Sequence, residues 1–265
     1  MQGGHDGRQR MDKILQITDT HLFADGDGEL RGTRTGETLR KVLNHVQDHH
    51  ADAKAILVTG DLVQQETEAA YRHFIQYFGD FQVPVLCIPG NHDDPDIMRR
   101  TLTMPPFRLD TRVSLGAWDV IQLDSHIPGS PAGRVGESGL AELDRLLKAN
   151  RPRPTLVAVH HQPRPVGTPW LDGVGLKDGD QLLEIVSAHE HARAVIWGHV
   201  HQPSEGYHGH LRLLGTPSTC AQFLAGSEDF AIDPDAPPAY RVLYLDDAGR
   251  IDDELVQLQA ADLPS

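Results

Sequence analysis

Residues 83–94 read VPVLCIPGNHDD. The first six are apolar, and a short apolar run bounded by turn residues is the pattern of a strand buried on both faces, as in a parallel sheet. Pro89–Gly90 then ends the run. An ordinary turn explains Pro, Gly and one Asn or Asp. It does not explain an amide, an imidazole and two carboxylates in succession at Asn91, His92, Asp93 and Asp94.

Upstream the same design repeats. AILVT (55–59) is a second apolar run and ends in Gly60–Asp61, while KILQIT (13–18) ends in Asp19–Thr20–His21. Between these runs, residues 37–50 carry Leu39, Val42, Leu43 and Val46 at helical spacing, and residues 66–78 read as another helix. Strand, helix, strand, helix, strand with crossovers of this length predicts parallel pairing. Residues 22–36 and 161–179 are Gly-rich and without period, so they are expected as long loops, as is 225–238.

Downstream, a short helix and a bend at Pro105–Pro106 are expected within 95–112. Strands follow at 118–124, 155–159, 194–197, 210–215 and 240–246, with a hairpin partner near 254–258, and helices at 137–148 and 180–189. Two sheets packed face to face with helices outside would accommodate all of these elements, which makes the fold class α/β. One domain is expected over 13–260, after a flexible tail at 1–12, with 203–240 as a cap or interface segment.

The chain has 265 residues, enough for a sizeable core, and 39% hydrophobic content. Thirty-eight acidic residues against 24 basic ones give a formal charge of −14, which disfavours nucleic acid as a partner and repels small anions, so a phosphate-ester site would need local positive charge. Two cysteines, Cys87 and Cys220, are too few for a disulfide scaffold. No secretory h-region opens the sequence and no apolar stretch reaches membrane-spanning length, so a cytoplasmic protein without a membrane partner is expected. The 16 histidines are the anomaly.

Two further strands end in imidazoles: 155–159 in His160–His161, and 194–197 in Gly198–His199–Val200–His201. Each cluster alone is ordinary turn chemistry, but five of them at five strand ends are not. In an open α/β sheet that edge is where ligands bind. Asp19, His21, Asp61, Asn91, His160, His199 and His201 form a mixed N/O donor set that suits Mn, Fe, Co or Zn. Seven donors are too many for one tetrahedral ion and fit two, with Asp61 as the bridge. One ion would take Asp19, His21, Asp61 and His201; the other would take Asp61, Asn91, His160 and His199.

The ordered motifs D-x-H, GD, GNHD, H and GH-x-H resemble the calcineurin-like metallophosphoesterase superfamily over residues 14–201. That resemblance implies a four-layer α/β/β/α sandwich with a dinuclear site at the strand carboxyl ends. Residues 160–186, WGHVHQ (197–202) and LLGTPSTCAQF (213–223) further resemble the bacterial class III cyclic nucleotide phosphodiesterases. The resemblance implies two metal ions, Fe and/or Mn with Zn or Co as alternatives, and hydrolysis of 3′,5′-cyclic AMP to 5′-AMP. The expected chemistry is in-line attack by a water or hydroxide held between the ions. His92 would stabilise the phosphoryl group and give a proton to the departing 3′ oxygen, or else only support neighbouring groups. Asn91, His92 and His201 would contact substrate, and His161 would buttress His160.

The wall of the pocket is less constrained. Trp170 lines it or anchors a loop; Arg31, Arg34 or Arg164 offsets substrate charge or is merely solvated; Thr216, Ser218 and Thr219 shape it by hydrogen bonds. One departure from the family pattern is Gln64, where many relatives place an Asp that steadies the catalytic His; Gln65 or Asp93 would be the substitutes. The rival activities are a broader phosphodiesterase acting on 2′,3′-cyclic nucleotides or other esters, and a phosphomonoesterase. A non-catalytic scaffold would have lost some of the donors. Monomer and homodimer are both compatible with the sequence.

Overall fold

A computed structural model describes residues 11–149 and 152–258. Of the expected tail, residues 1–10 lie outside the described residues, and Asp12 already begins the first strand.

The first half runs β1 (Asp12–Ile17), β2 (Glu29–Leu30), β3 (Thr33–Arg34), α1 (Thr35–His49), β4 (Ala55–Thr59), α2 (Glu68–Phe78), β5 (Val85–Ile88), α3 (Pro95–Thr101), β6 (Phe107–Arg108), β7 (Arg112–Leu115) and β8 (Trp118–Gln122). The second half runs α4 (Gly136–Ala149), β9 (Thr155–Ala158), α5 (Pro169–Asp172), α6 (Gly179–Ser187), β10 (Ala192–Trp197), β11 (Ser204–His208), β12 (Leu211–Gly215), β13 (Gln222–Phe223), β14 (Ile232–Asp233), β15 (Ala239–Leu245) and β16 (Ile251–Gln257).

Two six-stranded mixed sheets result, ordered β16-β15-β1-β4-β5-β6 and β11-β12-β10-β9-β8-β7. Inside them β1, β4 and β5 are parallel, as are β8, β9, β10 and β12. The apolar residues sort into three clusters that are the seams of a four-layer α/β/β/α sandwich. Leu15, Ile17, Ile56 and Val58 face α1 and α2, through Leu39, Val42, Phe74 and Phe78. Their neighbours Ile14, Ala55 and Leu57 point the other way and meet Leu156, Ala194 and Ile196 of the second sheet. Val157, Val195 and Trp197 face α4 and α6, through Leu143, Leu147, Leu182 and Val186. This is why the central strands read as continuous apolar runs: both faces are covered, and each fully buried Leu, Ile or Val contributes about 1.5–3 kcal/mol.

Besides the two-residue β6, the structure adds two strands that the sequence pattern does not signal. β11 alternates between exposed and half-exposed residues, and β7 buries only Val113. Both are edge strands, where one side of the ladder faces solvent and little apolar alternation is required. The expected loops also hold short pieces: the β2–β3 hairpin inside 22–36, α5 inside 161–179, and the β13–β14 pair across 222–233. Residues 203–240 thus supply β11 and β12 to the second sheet before forming that hairpin. Among the described residues no helix is long and apolar enough to cross a membrane.

Candidate metal centre

β1, β4 and β5 of one sheet and β9 and β10 of the other end at the same edge of the sandwich, and the loops after them interlock. The Asp19 N–H donates to Gly60 O (3.0 Å), that of His21 to Asp61 O (3.0 Å), and that of Gly198 to His160 O (3.1 Å). The His199 N–H donates to the Asp19 carboxylate at 3.0 Å, and His160 Nδ1 donates to Thr59 O at 2.8 Å, so side chains tie the two sheets together.

The loops leave no spare volume. A Cβ on Gly90 would lie 2.1 Å from Asp61 Oδ1, and one on Gly198 would lie 2.0 Å from Thr18 Oγ1. Asp19, His21, Asp61, His199 and His201 all adopt left-handed backbone, with φ between 44° and 65°. For residues other than Gly this costs on the order of 1 kcal/mol or more each, and such strain persists only where surrounding contacts impose it.

The seven expected donors converge in two overlapping groups. His21 Nε2 is 3.2 Å from His201 Nε2 and 3.6 Å from Asp61 Oδ2, and His201 Nε2 is 3.3 Å from Asp19 Oδ1. His160 Nε2 is 3.4 Å from the same Asp61 oxygen and 3.2 Å from Asn91 Oδ1. Donors placed ~2.1 Å from a shared ion stand ~3.0–3.4 Å apart, so these edges fit a metal polyhedron. His199 lies against His160, with ring centroids 5.1 Å apart, and its buried Nε2 has no hydrogen-bond partner. Asp61 Oδ1 accepts the His92 N–H at 2.8 Å, which leaves Oδ2 between the two groups. Cys220 also comes within reach of His21 and His201; its buried Sγ lies 3.0 Å from Ser218 Oγ.

The electrostatics favour cation binding. Burial alone would raise Asp61 and Asp19, but His160 and His21 pull the first well below the usual carboxylate range, and His201 and His160 lower the second. Burial, with neighbouring imidazoles, pushes His21 and His199 down to about 3 and His161 well below its ordinary value, so these rings are neutral and can ligate. His160 goes the other way: against the effect of burial, Asp61 lifts it to about 9.

The four polar residues after Pro89–Gly90 divide the work. Asn91 joins the second donor group. Asp93 is a buckle: its buried carboxylate accepts the N–H groups of Gly90 (2.8 Å) and Leu62 (3.1 Å) and the Tyr71 hydroxyl (2.9 Å), which ties the loop after β5 to the loop after β4. Asp94 caps α3 by accepting from Asp96 N and Ile97 N, ahead of Pro95.

His92 is half-buried, with its ring centroid 5.0 Å from that of His21, and Gln64 joins the two rings. Gln64 Oε1 lies 2.8 Å from His21 Nδ1, and Gln64 Nε2 lies 3.2 Å from His92 Nδ1. If His21 Nε2 faces a metal, its hydrogen sits on Nδ1 and donates to Oε1. The amide then presents its NH2 to His92 Nδ1 and fixes that ring's hydrogen on Nε2. Gln64 therefore positions His92 directly, while Gln65 accepts from Ala24 N and Asp93 serves the backbone.

Other expected residues separate. His161 donates to or accepts from Ser125 at 2.8 Å, and its ring lies tilted against His199, with centroids 4.6 Å apart. Ser218 Oγ donates to Asp19 O, and Thr216 Oγ1 donates to Gln16 Oε1, so these residues brace the loops. Trp170 Nε1 donates to Ser227, Arg34 pairs with Glu29, Arg164 reaches Tyr207 O, and Arg31 lies over Phe230. The sequence reading passes over a buried polar strut, Arg241–Thr216–Gln16–Thr59, that crosses the inter-sheet seam beneath the site. Its signal is a Gln and an Arg in the middle of two apolar strands.

Residues 12–203 match the pattern of the calcineurin-like phosphoesterase family. The chain belongs to that family. The 3′,5′-cyclic adenosine monophosphate phosphodiesterase CpdA of Vibrio vulnificus is 36% identical to this phosphoesterase over 247 residues, 93% of this chain and 90% of the relative. Among solved structures, a dimetal phosphatase from Danio rerio superposes with a TM-score of 0.62 at 14% identity, covering 94% of this chain and 99% of that one. GAP50, the anchor in the inner membrane complex of Plasmodium, superposes with a TM-score of 0.61 at 10% identity, covering 96% of this chain and 95% of that one. A phosphatase and an anchor sharing one architecture show that the fold alone does not assign function to this phosphoesterase.

Proposed function

We propose that this phosphoesterase hydrolyses 3′,5′-cyclic AMP to 5′-AMP, using two first-row metal ions, Fe and/or Mn with Zn or Co as alternatives. Asp19, His21, Asp61 and His201 would hold one ion, and Asp61, Asn91, His160 and His199 the other. The observation that carries the reading is the single oxygen Asp61 Oδ2, within 3.6 Å of His21 Nε2 and 3.4 Å of His160 Nε2. The name borne by a relative that matches nine-tenths of the chain supplies the substrate.

The ions, when bound, polarise the phosphate oxygens and acidify water. The chain's own residues do the rest. Asn91 sits beside His160 and can turn its NH2 toward a phosphate oxygen while its carbonyl oxygen faces the donors. His92, with its hydrogen fixed on Nε2 by Gln64, hydrogen-bonds the departing 3′ oxygen as the P–O bond breaks and charge builds there. The Asp93 carboxylate, through the Gly90 and Leu62 N–H groups, and the His92 N–H to Asp61 bond hold this loop before substrate arrives, which is the preorganisation that in-line displacement needs.

The test compares 3′,5′-cyclic AMP, 2′,3′-cyclic AMP, cyclic GMP and a synthetic bis-ester, each before and after chelation. Higher kcat/KM on 3′,5′-cyclic AMP, abolished by chelation and restored by Mn or Fe, supports the reading. Equal efficiency on all four esters assigns a broad phosphodiesterase instead, and activity that survives chelation removes the metal chemistry.

A further inference from the structure

Resting on the cyclic-nucleotide reading above, we propose that Phe230 and Arg31 form a stacking subsite for the purine base, carried on the β13–β14 and β2–β3 hairpins. The subsite starts at the metal centre. The Phe223 ring stacks on His201 with centroids 4.1 Å apart and planes at 13°. Phe223 meets Phe230 edge-on at 5.3 Å, and Trp170 meets both rings edge-on, at 5.1 Å and 5.2 Å. Phe230 thus lies one aromatic ring beyond His201, which the proposed function assigns to the first ion.

Three features distinguish this cluster from ordinary loop packing. Phe230 is 44% exposed, one of the few large apolar side chains so placed, and Leu224 on the same hairpin is equally exposed. A flat, half-exposed ring at a polar site has unsatisfied apolar area that a base would cover. The backing is fixed: Trp170 Nε1 donates to Ser227 Oγ, Ser227 Oγ to Leu224 O, and Gly226 N to Thr168 Oγ1. The platform is therefore rigid and loses little freedom on binding.

Arg31 is the third feature. It occupies a two-residue hairpin turn with Gly32, and both have positive φ, 53° and 83°. Such turns favour Asn, Asp or Gly at the first position, so an Arg there is held at a cost. Its guanidinium carbon lies 4.7 Å over the Phe230 ring centre. On a chain with a net charge of −14, this puts a cation over a half-exposed aromatic face that is linked to His201 through the Phe223 ring. To seat a base on this face of Phe230 the guanidinium would swing outward and cover the outer face of the base, and its charge would also attract the anionic nucleotide.

The test uses the full-length, metal-loaded enzyme and its variants Phe230→Ala, Phe230→Tyr and Arg31→Ala. Kinetics are measured on 3′,5′-cyclic AMP and on the corresponding base-less sugar 3′,5′-cyclic phosphate, and 5′-AMP binding is measured by equilibrium dialysis. Stacking of a base on an aromatic ring predicts that Phe230→Ala raises KM for cyclic AMP and Kd for 5′-AMP about tenfold, with kcat within about threefold. Kinetics on the base-less substrate should not change, Phe230→Tyr should retain wild-type values, and Arg31→Ala should weaken 5′-AMP by about threefold. Equal KM and Kd for wild type and Phe230→Ala, or an equal rise on both substrates, would overturn the subsite while leaving cyclic AMP hydrolysis standing. A wild-type enzyme inactive on cyclic AMP would overturn both.

Discussion

Metal loading should displace about one proton per chain from His160, and the displacement should vanish at high pH. Before metal binds, His160 Nδ1 is committed to Thr59 O, so the atom available to an ion is Nε2, which faces Asp61. Asp61 lifts this ring to about 9 against the effect of burial, so at pH 7.5 nearly all chains carry a proton on it. The neighbouring donors release nothing: Asp19 and Asp61 are held below the usual carboxylate range, and His21 and His199 are pushed down to about 3. Titration with Mn or Zn, by calorimetry in buffers of different ionisation enthalpy, should therefore show about one proton fewer released at pH 10 than at pH 7.5. Protons shed by water that enters with the ions add to the total at both pH values. Apparent affinity should rise roughly tenfold per pH unit below about 9 from this group alone. In the metal-free protein the same raised imidazole stabilises the fold fully below its ordinary value of ~6.5 and loses that contribution as pH climbs through about 9. Release that does not change between the two pH values, or that falls by two protons or more, would refute the His160–Asp61 charge pair.

Four further outcomes follow from the same geometry. Chelation should lower the melting temperature by ~10–20 °C relative to protein with both sites at ~100 times their Kd, because each ion then adds ~2.7 kcal/mol; an unchanged melting curve would mean the donors hold nothing. His92→Ala should cut kcat on cyclic AMP by ~10²–10³-fold while circular dichroism and metal content stay at wild-type levels, and retained turnover would remove His92 from the reaction. Gln64→Leu should lower kcat by ~10-fold with KM little changed, since one hydrogen bond that orients His92 is lost; a pure KM effect would contradict that role. Asp93, raised to about 7 by burial and by the charge of Asp61, makes metal-free stability fall as pH rises from ~4 through that value. Asp93→Asn should remove this slope of up to ~1.4 kcal/mol per pH unit, and parallel urea-melt curves for the two proteins would show that Asp93 is not protonated there.

Much of the site was legible because its chemistry is carried by residue type at strand ends. Asp61, Asn91, His160 and His199 stand where apolar runs stop, and nothing in turn chemistry accounts for imidazoles there. The central strands were legible for a related reason: Ala55–Thr59 and Thr155–Ala158 are covered on both faces and read as unbroken apolar runs. The edge strands β7 and β11 were not, because exposure on one side removes the pattern that would betray them. Gln64 could be noticed as a departure, but its span from His21 to His92 depends on loops 43 and 28 residues apart in sequence. The purine platform was equally hidden: Arg31, Trp170 and Phe230 come from three loops with no shared periodicity.

The strained backbone connects these observations. A left-handed residue is usually Gly because Gly adopts that conformation without steric cost. Here Asp19, His21, Asp61, His199 and His201 adopt it, while the glycines sit beside them where a Cβ would collide, as at Gly90 and Gly198. Glycine at the five donor positions would relax the chain and delete the donors. The conformation is imposed by inter-loop hydrogen bonds such as Asp19 N to Gly60 O and His199 N to the Asp19 carboxylate. It bends the chain sharply just past each strand end, and the side chains carried there converge on one point. Two sheets bring five strand ends to one edge; the left-handed turns then aim their side chains at each other, and the charge pair His160–Asp61 holds the second donor group together.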